Sequence, residues 1–180
     1  MSDNKMILIS NHLLYMENHV EFHPDSVIRI NVAWVENTEQ LRKFLDIPYD
    51  VMIDYPEGRT KPPKPTMTYI QTLNIVKTFL NVKYVAVSNI ESGNVAALYK
   101  NSIWHISFVP KIETACGADN IVDIIEQSQP EYVMIDTEDL FLDVKGNVTE
   151  YELKYNYITS QCGFKGVKVL KIQGVIFGEA

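Results

Sequence analysis

The sequence has little cysteine, and its two cysteines, Cys116 and Cys162, stand apart without CxxC spacing or a metal-ligand cluster. A disulfide framework and a zinc site are therefore not indicated, and we expect reduced thiols. The sequence also lacks any uninterrupted apolar run that approaches a membrane span. Its first residues lack the cationic head and apolar run of a secretory leader. We expect a cytoplasmic protein that binds no membrane.

Basic residues are scarce as well, with 16 Lys and Arg against 23 Asp and Glu and a formal net charge of −7. Nucleic acids and anionic membranes need a clustered basic face, and none is visible. Hydrophobic residues make up 46% of the chain and charged residues 22%, which is an ordinary globular balance. We expect a single domain over residues 1–180, with no nucleic-acid partner, that acts on a small molecule or with a protein partner.

Short apolar runs recur along the chain and alternate with helical patterns. Seven runs are apolar on consecutive positions, as are parallel strands covered on both faces. They lie at residues 6–10, 27–33, 51–55, 84–88, 106–113, Tyr132–Asp136 and 167–173. Helix patterns lie between them at residues Thr38–Leu45, 68–80, 94–99, 118–127 and 150–162. This alternation predicts an α/β fold with a parallel sheet.

Polar side chains at or near the carboxyl ends of these runs favour a barrel. They are Arg29, Asn31, Asp54, Ser88, Lys111, Glu113, Asp136 and Asp139. In a (β/α) barrel the strand ends converge on one mouth, where the chemistry is collected. A doubly wound sheet commonly offers a Gly-rich first turn, which this sequence lacks. We therefore predict a parallel TIM-like barrel.

The chain is short for that fold, because a complete barrel typically needs about 250 residues. After the seventh run only residues 174–180 remain, which leaves no room for another helix and strand. We predict a curtailed barrel of about seven βα units. Since unpaired strand edges invite pairing with another chain, we expect a homo-oligomer formed through residues 167–177, or a protein partner that covers the opening.

Six stretches of the sequence carry recognisable motifs, and these occur along the chain in the same order as in one known family. They are VIRINVAW (27–34), MIDYPEGRT (52–60), YVAVSNI (84–90), VPKIETACGADNIVDII (109–125), YVMIDTEDL (132–140) and YNYITSQCGFKGVKVLKIQ (155–173). Together they resemble the barrel domain of the pyruvate kinase family, in which a KIE strand precedes a strand that ends in a GDL-type turn. The wider phosphoenolpyruvate/pyruvate barrel superfamily, with citrate-lyase-like enzymes and 2-oxo-acid aldolases, shares the IET and DL elements but usually not the lysine before IE.

The resemblance implies a divalent-metal centre. Glu113 and Asp139 match the two carboxylates that hold the family's Mg²⁺ or Mn²⁺. Such ions prefer oxygen ligands and stabilise a developing enolate. Lys111 matches the lysine that neutralises charge on the phosphoryl group and the enolate. Asp136 is either an additional metal ligand or a solvated loop acid.

The resemblance also implies places for anions and a monovalent cation. Arg29 matches the phosphate-binding arginine of the family, for which a rigid guanidinium fork is well suited. Asn31 and Asp54 match two ligands of its monovalent-cation site. Arg59 and Ser88 are candidate substrate-binding residues. The expected substrate is a small oxo-acid or a phosphorylated compound.

The chain departs from the family at positions that matter for activity. Ala33 and Trp34 replace the serine and histidine that follow Asn31 in the family pattern, which removes contributors to the monovalent-cation site. Glu138 stands where a glycine offers its amide to the substrate carboxylate. The lid domain is replaced by KPPKPT (61–66). Because phosphoryl transfer needs water to be excluded, we do not expect a true pyruvate kinase.

Three functions remain open from the sequence. The first is a divalent-metal enzyme that acts on phosphoenolpyruvate or a related oxo-acid or phosphate through a metal-stabilised enolate. The second is a metal-dependent carbon–carbon lyase of the 2-oxo-acid aldolase or citrate-lyase type. The third is a degenerate barrel that has lost catalysis and acts through a protein partner. Separately, Lys111 and Glu113 could form an internal ion pair, and Arg29 could be an internal partner of Asp54 or Glu113. Lys111 favours the first over the second, and the short chain favours the third.

Overall fold

The computed structural model describes residues 6–10, 12 and 21–172. Within these residues seven strands succeed one another: β1 (Ile7–Ile9), β2 (Ser26–Asn31), β3 (Asp50–Tyr55), β4 (Val82–Val87), β5 (Ser107–Ile112), β6 (Tyr132–Asp136) and β7 (Lys168–Ile172). Their order in the sheet is their order in the chain. The pairs β1–β2, β2–β3, β5–β6 and β6–β7 are parallel. The predicted fold class, a parallel α/β fold of the TIM-like type curtailed at seven strands, is confirmed.

Helices alternate with the strands. They are α1 (Thr38–Leu45), α2 (Tyr69–Val76), α3 (Gly93–Ser102), α4 (Ala115–Asp119), α5 (Ile121–Ser128), α6 (Thr137–Asp143) and α7 (Val148–Phe164), with a 3₁₀ turn at Val32–Trp34. The side chains of Asn37, Thr68 and Asn147 cap α1, α2 and α7 by accepting a backbone N–H of the first turn. In the part of the chain described, no helix is both long enough and apolar enough to cross a membrane.

The chain divides into two compact units. The first runs to Ala86 and includes Ile103–Ser107, and the second comprises Val87–Ser102 and the residues from Phe108 onward. In the first unit, consecutive side chains of β2 and β3, among them Ile28, Ile30 and Ile53, are fully buried. In the second unit Val133, Met134 and Ile135 of β6 are buried in the same way. Strands buried at consecutive positions explain why the sequence shows apolar runs there and no alternation.

Asn81 fastens the segment that leads into β3 of the first unit. Its amide Nδ2 donates to the backbone oxygens of Leu45 at 2.9 Å, Ile47 at 3.2 Å and Tyr49 at 3.1 Å. Its own backbone oxygen accepts the N–H of Val51 at 2.8 Å. One side chain thus satisfies three carbonyls between α1 and β3, a connection that would otherwise have few internal hydrogen bonds.

Replacing Asn81 should therefore be costly for a loop residue. We expect Asn81→Ala to lower the free energy of unfolding by about 1–3 kcal/mol, because partly buried carbonyls lose their donor. Urea denaturation measures the change, and Asn101→Ala, at an exposed position of α3, is the matched control. A loss no larger than that of the control would show that water replaces the amide without penalty.

Several predicted boundaries were wrong. The helix predicted at residues 68–80 ends at Val76, because a turn follows in which the N–H of Phe79 bonds the oxygen of Val76. Leu80 is consequently 93% exposed. The helix predicted at residues 118–127 is two helices, α4 and α5, that meet at Asn120. Residues 173–177 of the predicted dimer strand lie outside the described residues.

Candidate metal centre

Three carboxylates converge in the second unit at the carboxyl ends of β5 and β6. Glu113 follows β5 directly, Asp136 is the last residue of β6, and Asp139 lies in the first turn of α6. Ile112 and Ile135 are paired in the parallel register of these strands, so the next residues emerge side by side. One oxygen of each carboxylate lies within 4.8 Å of the other two. The three side chains form the carboxylate cluster.

Lys111 supplies the positive charge of this cluster. It precedes Glu113 by two residues, which places both side chains on the same face of the strand. Its Nζ lies 2.6 Å from Glu113 Oε1 and 3.2 Å from Asp136 Oδ2. The side chains of Lys111 and Glu113 are only 5% and 6% exposed. Both charges are therefore largely removed from water, where contacts between charges are much stronger than at the surface.

The residues after β4 hold the other side of Glu113. The backbone N–H of Asn89 donates to Glu113 Oε2 at 3.0 Å, and Ser88 Oγ lies 3.4 Å from Oε1. Asn89 has a φ of 56°, in the left-handed region that asparagine tolerates better than most residues. Sequence reasoning named Ser88 but missed Asn89, because its contribution is a backbone N–H and no side-chain pattern announces it.

This turn is itself fastened to the neighbouring elements. The N–H of Ile90 bonds the oxygen of Lys111 at 3.3 Å, and Asn120 Nδ2 donates to the oxygen of Glu91 at 2.8 Å. A Cβ on Gly117 would lie 2.7 Å from the oxygen of Ile90, so α4 approaches the turn as closely as it does only because residue 117 is glycine. The turn after β4 that binds Glu113 is therefore fixed by hydrogen bonds and by its close contact with α4.

Asp139 lies in the first turn of helix α6, and the sequence did not predict this helix. The DTEDL stretch was expected to form a turn, but Asp136 caps a helix there, because its Oδ1 accepts the N–H of Asp139 at 3.3 Å. Asp136 is half-buried and lies in the carboxylate cluster, and its role as a metal ligand stays a prediction. Glu138 of the same helix is exposed.

The cluster fits a hard divalent cation. Three carboxylates and one ammonium leave a formal charge of −2 among closely spaced oxygen donors. Mg²⁺ and Mn²⁺ prefer oxygen ligands of this kind and are commonly bound by few carboxylates. The predicted cofactor class matches the donor set that the fold assembles.

The first unit contains a different charged pair. Arg29 on β2 donates from Nε to Asp54 Oδ2 on β3 at 2.9 Å, and its Nη2 contacts the same oxygen. Its Nη1 donates to the oxygen of Ser10 at 3.1 Å. Arg29 therefore has the internal partner that the sequence offered as an alternative, and its role in binding phosphate stays a prediction.

The remaining candidates of the first unit serve local structure. Asn31 Oδ1 accepts the N–H of Ala33 at 3.0 Å and caps the 3₁₀ turn. Arg59 donates from Nε to the oxygen of Pro63 at 2.7 Å and from Nη2 to that of Pro62 at 3.3 Å. Their proposed roles toward a monovalent cation or a substrate stay predictions.

His12 was missed by sequence reasoning, since a lone histidine after a strand carries no signal. Its ring packs against Phe44 with centroids 5.1 Å apart, and its Nε2 is buried with no hydrogen-bond partner among the described residues. Burial, reinforced by the positive charge of Arg29, lowers the pKa of His12 from 6.5 to about 4. The imidazole is neutral in the folded protein at neutral pH.

This histidine should make stability fall in mild acid. The unfolded chain takes up a proton on His12 below about pH 6.5, whereas the folded chain does so only near pH 4. The unfolding free energy should therefore drop between these values, by at most about 1.4 kcal/mol per pH unit. Urea midpoints measured from pH 4 to 7 should fall less steeply in His12→Gln than in the wild type and in His23→Gln, whose side chain is exposed. Equal slopes in all three would contradict the lowered pKa.

Several solved structures are similar in fold to this chain. No protein-family model and no curated protein matches the sequence. A citrate lyase β subunit from Mycobacterium tuberculosis has a TM-score of 0.65 at 15% identity over 92% of this chain and 76% of that one. An HpcH/HpaI aldolase/citrate lyase family protein from Burkholderia cenocepacia J2315 has a TM-score of 0.64 at 12% identity over 93% and 79%.

A third similar structure carries ligands. CitE from Mycobacterium tuberculosis, in complex with magnesium, acetoacetate and coenzyme A, has a TM-score of 0.66 at 15% identity over 95% of this chain and 66% of that one. The similarity shows that this chain shares the TIM-like α/β fold of these structures. The likeness is not specific to the pyruvate kinase barrel.

Proposed function

We propose that this chain is a divalent-metal-dependent carbon–carbon lyase that acts on a small oxo-acid through an enolate. The observation that carries the proposal is the cluster of Glu113, Asp136 and Asp139 at the strand ends, with Lys111 among them. The fold likeness to citrate lyase and HpcH/HpaI aldolase structures supports a lyase over a kinase. One such structure holds magnesium and pyruvate.

The residues have separate roles in this proposal. Glu113 and Asp139, joined by Asp136, would hold Mg²⁺ or Mn²⁺. A bound ion of this kind polarises a carbonyl and stabilises negative charge on its oxygen. Lys111 adds a second positive charge in a site from which water is largely excluded, where preorganised charge is most effective. Asn89 and Ser88 keep Glu113 in place through its two oxygens.

A phosphoenolpyruvate-directed enzyme is the second candidate. Lys111 favours it, because the lysine before IE matches the pyruvate kinase pattern and is usually absent from the lyase branch. ADP-dependent formation of pyruvate would demonstrate it. We do not expect that activity, since the segment that replaces the lid offers nothing to exclude water from phosphoryl transfer. A catalytically degenerate barrel that acts through a protein partner would transform no acid, whether or not it binds metal.

Proton exchange on pyruvate tests the proposed function without knowledge of the substrate. Both enolate-forming candidates should catalyse loss of the methyl proton signal of pyruvate in D₂O when Mg²⁺ is present, followed by NMR. Glu113→Gln should reduce the rate to that of buffer, whereas Glu126→Gln, which alters only an exposed ion pair with Lys165, should not. Metal binding without any exchange would support the degenerate alternative.

Two further features belong to the same proposal. We place the protein in the cytoplasm, and we propose a homodimer that forms through β7 and the residues after it. Burial of an unpaired strand edge satisfies its backbone groups and removes apolar surface from water. Light scattering coupled to gel filtration measures the oligomeric state, and a strictly monomeric chain would leave only a foreign partner.

A further inference from the structure

The two oxygens of Glu113 have different partners, and so do the two oxygens of Asp136. Glu113 Oε2 accepts the N–H of Asn89, and Asp136 Oδ1 accepts the N–H of Asp139. The other oxygen of each carboxylate, Glu113 Oε1 and Asp136 Oδ2, contacts Nζ of Lys111. The backbone thus holds one oxygen of Glu113 and one of Asp136, and Lys111 contacts the other oxygen of each.

The lysine is therefore the internal counter-ion of the cluster. Without it, three carboxylates would be crowded within 4.8 Å of one another, and two buried like charges at such distances repel strongly. A divalent cation that takes the same oxygens would meet an ammonium 5% exposed and within 3.2 Å of both. Cation and ammonium repel each other, so they compete for Glu113 Oε1 and Asp136 Oδ2.

We infer that Lys111 makes the binding of metal and oxo-acid interdependent and selects ligands with two negative groups; this rests on the proposed function. Metal binding displaces the ammonium from Glu113 and Asp136. The displaced charge is best neutralised by an anion that arrives with the metal. A dianionic acid can bind the metal and still offer negative charge to Lys111, whereas a monoanion cannot do both as well.

The coupling is reciprocal, as any linkage of two binding equilibria must be. In the absence of acid, Lys111 weakens metal binding, because the cation must first disrupt two ion pairs. In the presence of a dianionic acid, Lys111 strengthens it. A neutral side chain at this position should therefore change the two affinities in opposite directions, which neither a purely structural role nor a simple anion-binding role would do.

Mn²⁺ binding to the whole chain, measured by electron paramagnetic resonance with and without oxalate, tests the inference. Lys111→Met should bind Mn²⁺ alone more tightly than the wild type, by roughly tenfold or more, the equivalent of one ion-pair contact. Oxalate should then strengthen Mn²⁺ binding by roughly a hundredfold less than it does in the wild type, so that with oxalate present the variant binds Mn²⁺ about tenfold more weakly. Chelation between Mn²⁺ and oxalate themselves is the same in both proteins, so the difference reports Lys111.

Two further variants keep the test decisive. Lys111→Gln is neutral but retains a donor toward Glu113, so it serves if Lys111→Met does not fold, and it should change both affinities in the same directions. Lys154→Met removes an equal charge from a pair with Asp119 outside the cluster and should change neither. Equal or weaker Mn²⁺ binding in the Lys111 variants, or an undiminished effect of oxalate, overturns the inference while the metal centre stands. A wild-type chain that binds no Mn²⁺ overturns the proposed function as well.

Discussion

Glu113→Gln should abolish the stabilisation of this protein by divalent metal. A ligand that binds only the folded state raises its stability by mass action, by about 2.7 kcal/mol when its concentration is a hundred times the dissociation constant. Glu113 provides one of the three clustered carboxylates, and it is the most buried of them. Its loss removes a charged ligand and reduces the formal charge of the cluster with Lys111 from −2 to −1. The site should therefore no longer attract a divalent cation.

The measurement is the melting temperature at increasing Mg²⁺ or Mn²⁺. The substitution also removes a partner of Lys111 at 2.6 Å, so the absolute melting temperature will change, and the quantity to compare is the shift that metal produces. Glu126→Gln, at a surface pair, should keep the full shift. An equal shift in Glu113→Gln would place the metal elsewhere.

Arg29→Met should lower the free energy of unfolding more than Asn81→Ala does. Asp54 has a fully buried side chain, and Arg29 is its charged partner through both Nε and Nη2. Breaking a buried ion pair by removing one member typically costs about 3–5 kcal/mol, because the other charge is left without compensation. Denaturation in urea should show a loss of this size, whereas Arg42→Met on the exposed face of α1 should lose little.

Removing both charges provides the check on this interpretation. Replacing a buried pair by apolar residues of similar volume is often neutral, so Arg29→Met combined with Asp54→Leu should recover most of the loss. If the double variant is as unstable as Arg29→Met alone, the loss comes from the contact of Arg29 with Ser10 or from packing, and not from the stranded carboxylate.

The fold was predictable because its signal is repeated. Strands such as Asp50–Tyr55 and Tyr132–Asp136 are buried on consecutive positions, and such burial produces an apolar run in the sequence. Helix ends were less predictable, since they depend on single caps and turns. The end of α2 at Val76 is set by backbone bonds in the following turn, which any residue can make.

The candidate centre was predictable only in part. Glu113 and Asp139 stand at strand ends in a motif with family precedent, and the structure brings them together. The roles of Asp136 and Asn89 depend on a helix cap and a left-handed backbone, neither of which changes the residue pattern enough to notice. Arg29 shows the opposite limit, because the sequence could not choose between an anion ligand and a partner for Asp54.

The similar solved structures favour a lyase over a phosphoenolpyruvate-directed enzyme among the functions that the sequence left open. The pyruvate kinase resemblance depends on Lys111 and on the order of the motifs, and the similar solved structures are not specific to that family. The similar solved structures named above are citrate lyase and aldolase family proteins, at 15% identity or less. The lyase proposal therefore rests on the carboxylate cluster and the shared fold, and Lys111 remains the residue that favours the phosphoenolpyruvate-directed candidate.

The anomalous scattering of Mn²⁺ in crystals of the wild-type protein tests the central claim most directly. We predict an anomalous peak bound by carboxylate oxygens of Glu113 and Asp139, with Asp136 beside it and Nζ of Lys111 moved away from Glu113 Oε1. Crystals grown with millimolar Mn²⁺ that show no peak there, and that keep Lys111 in contact with both Glu113 and Asp136, would contradict it.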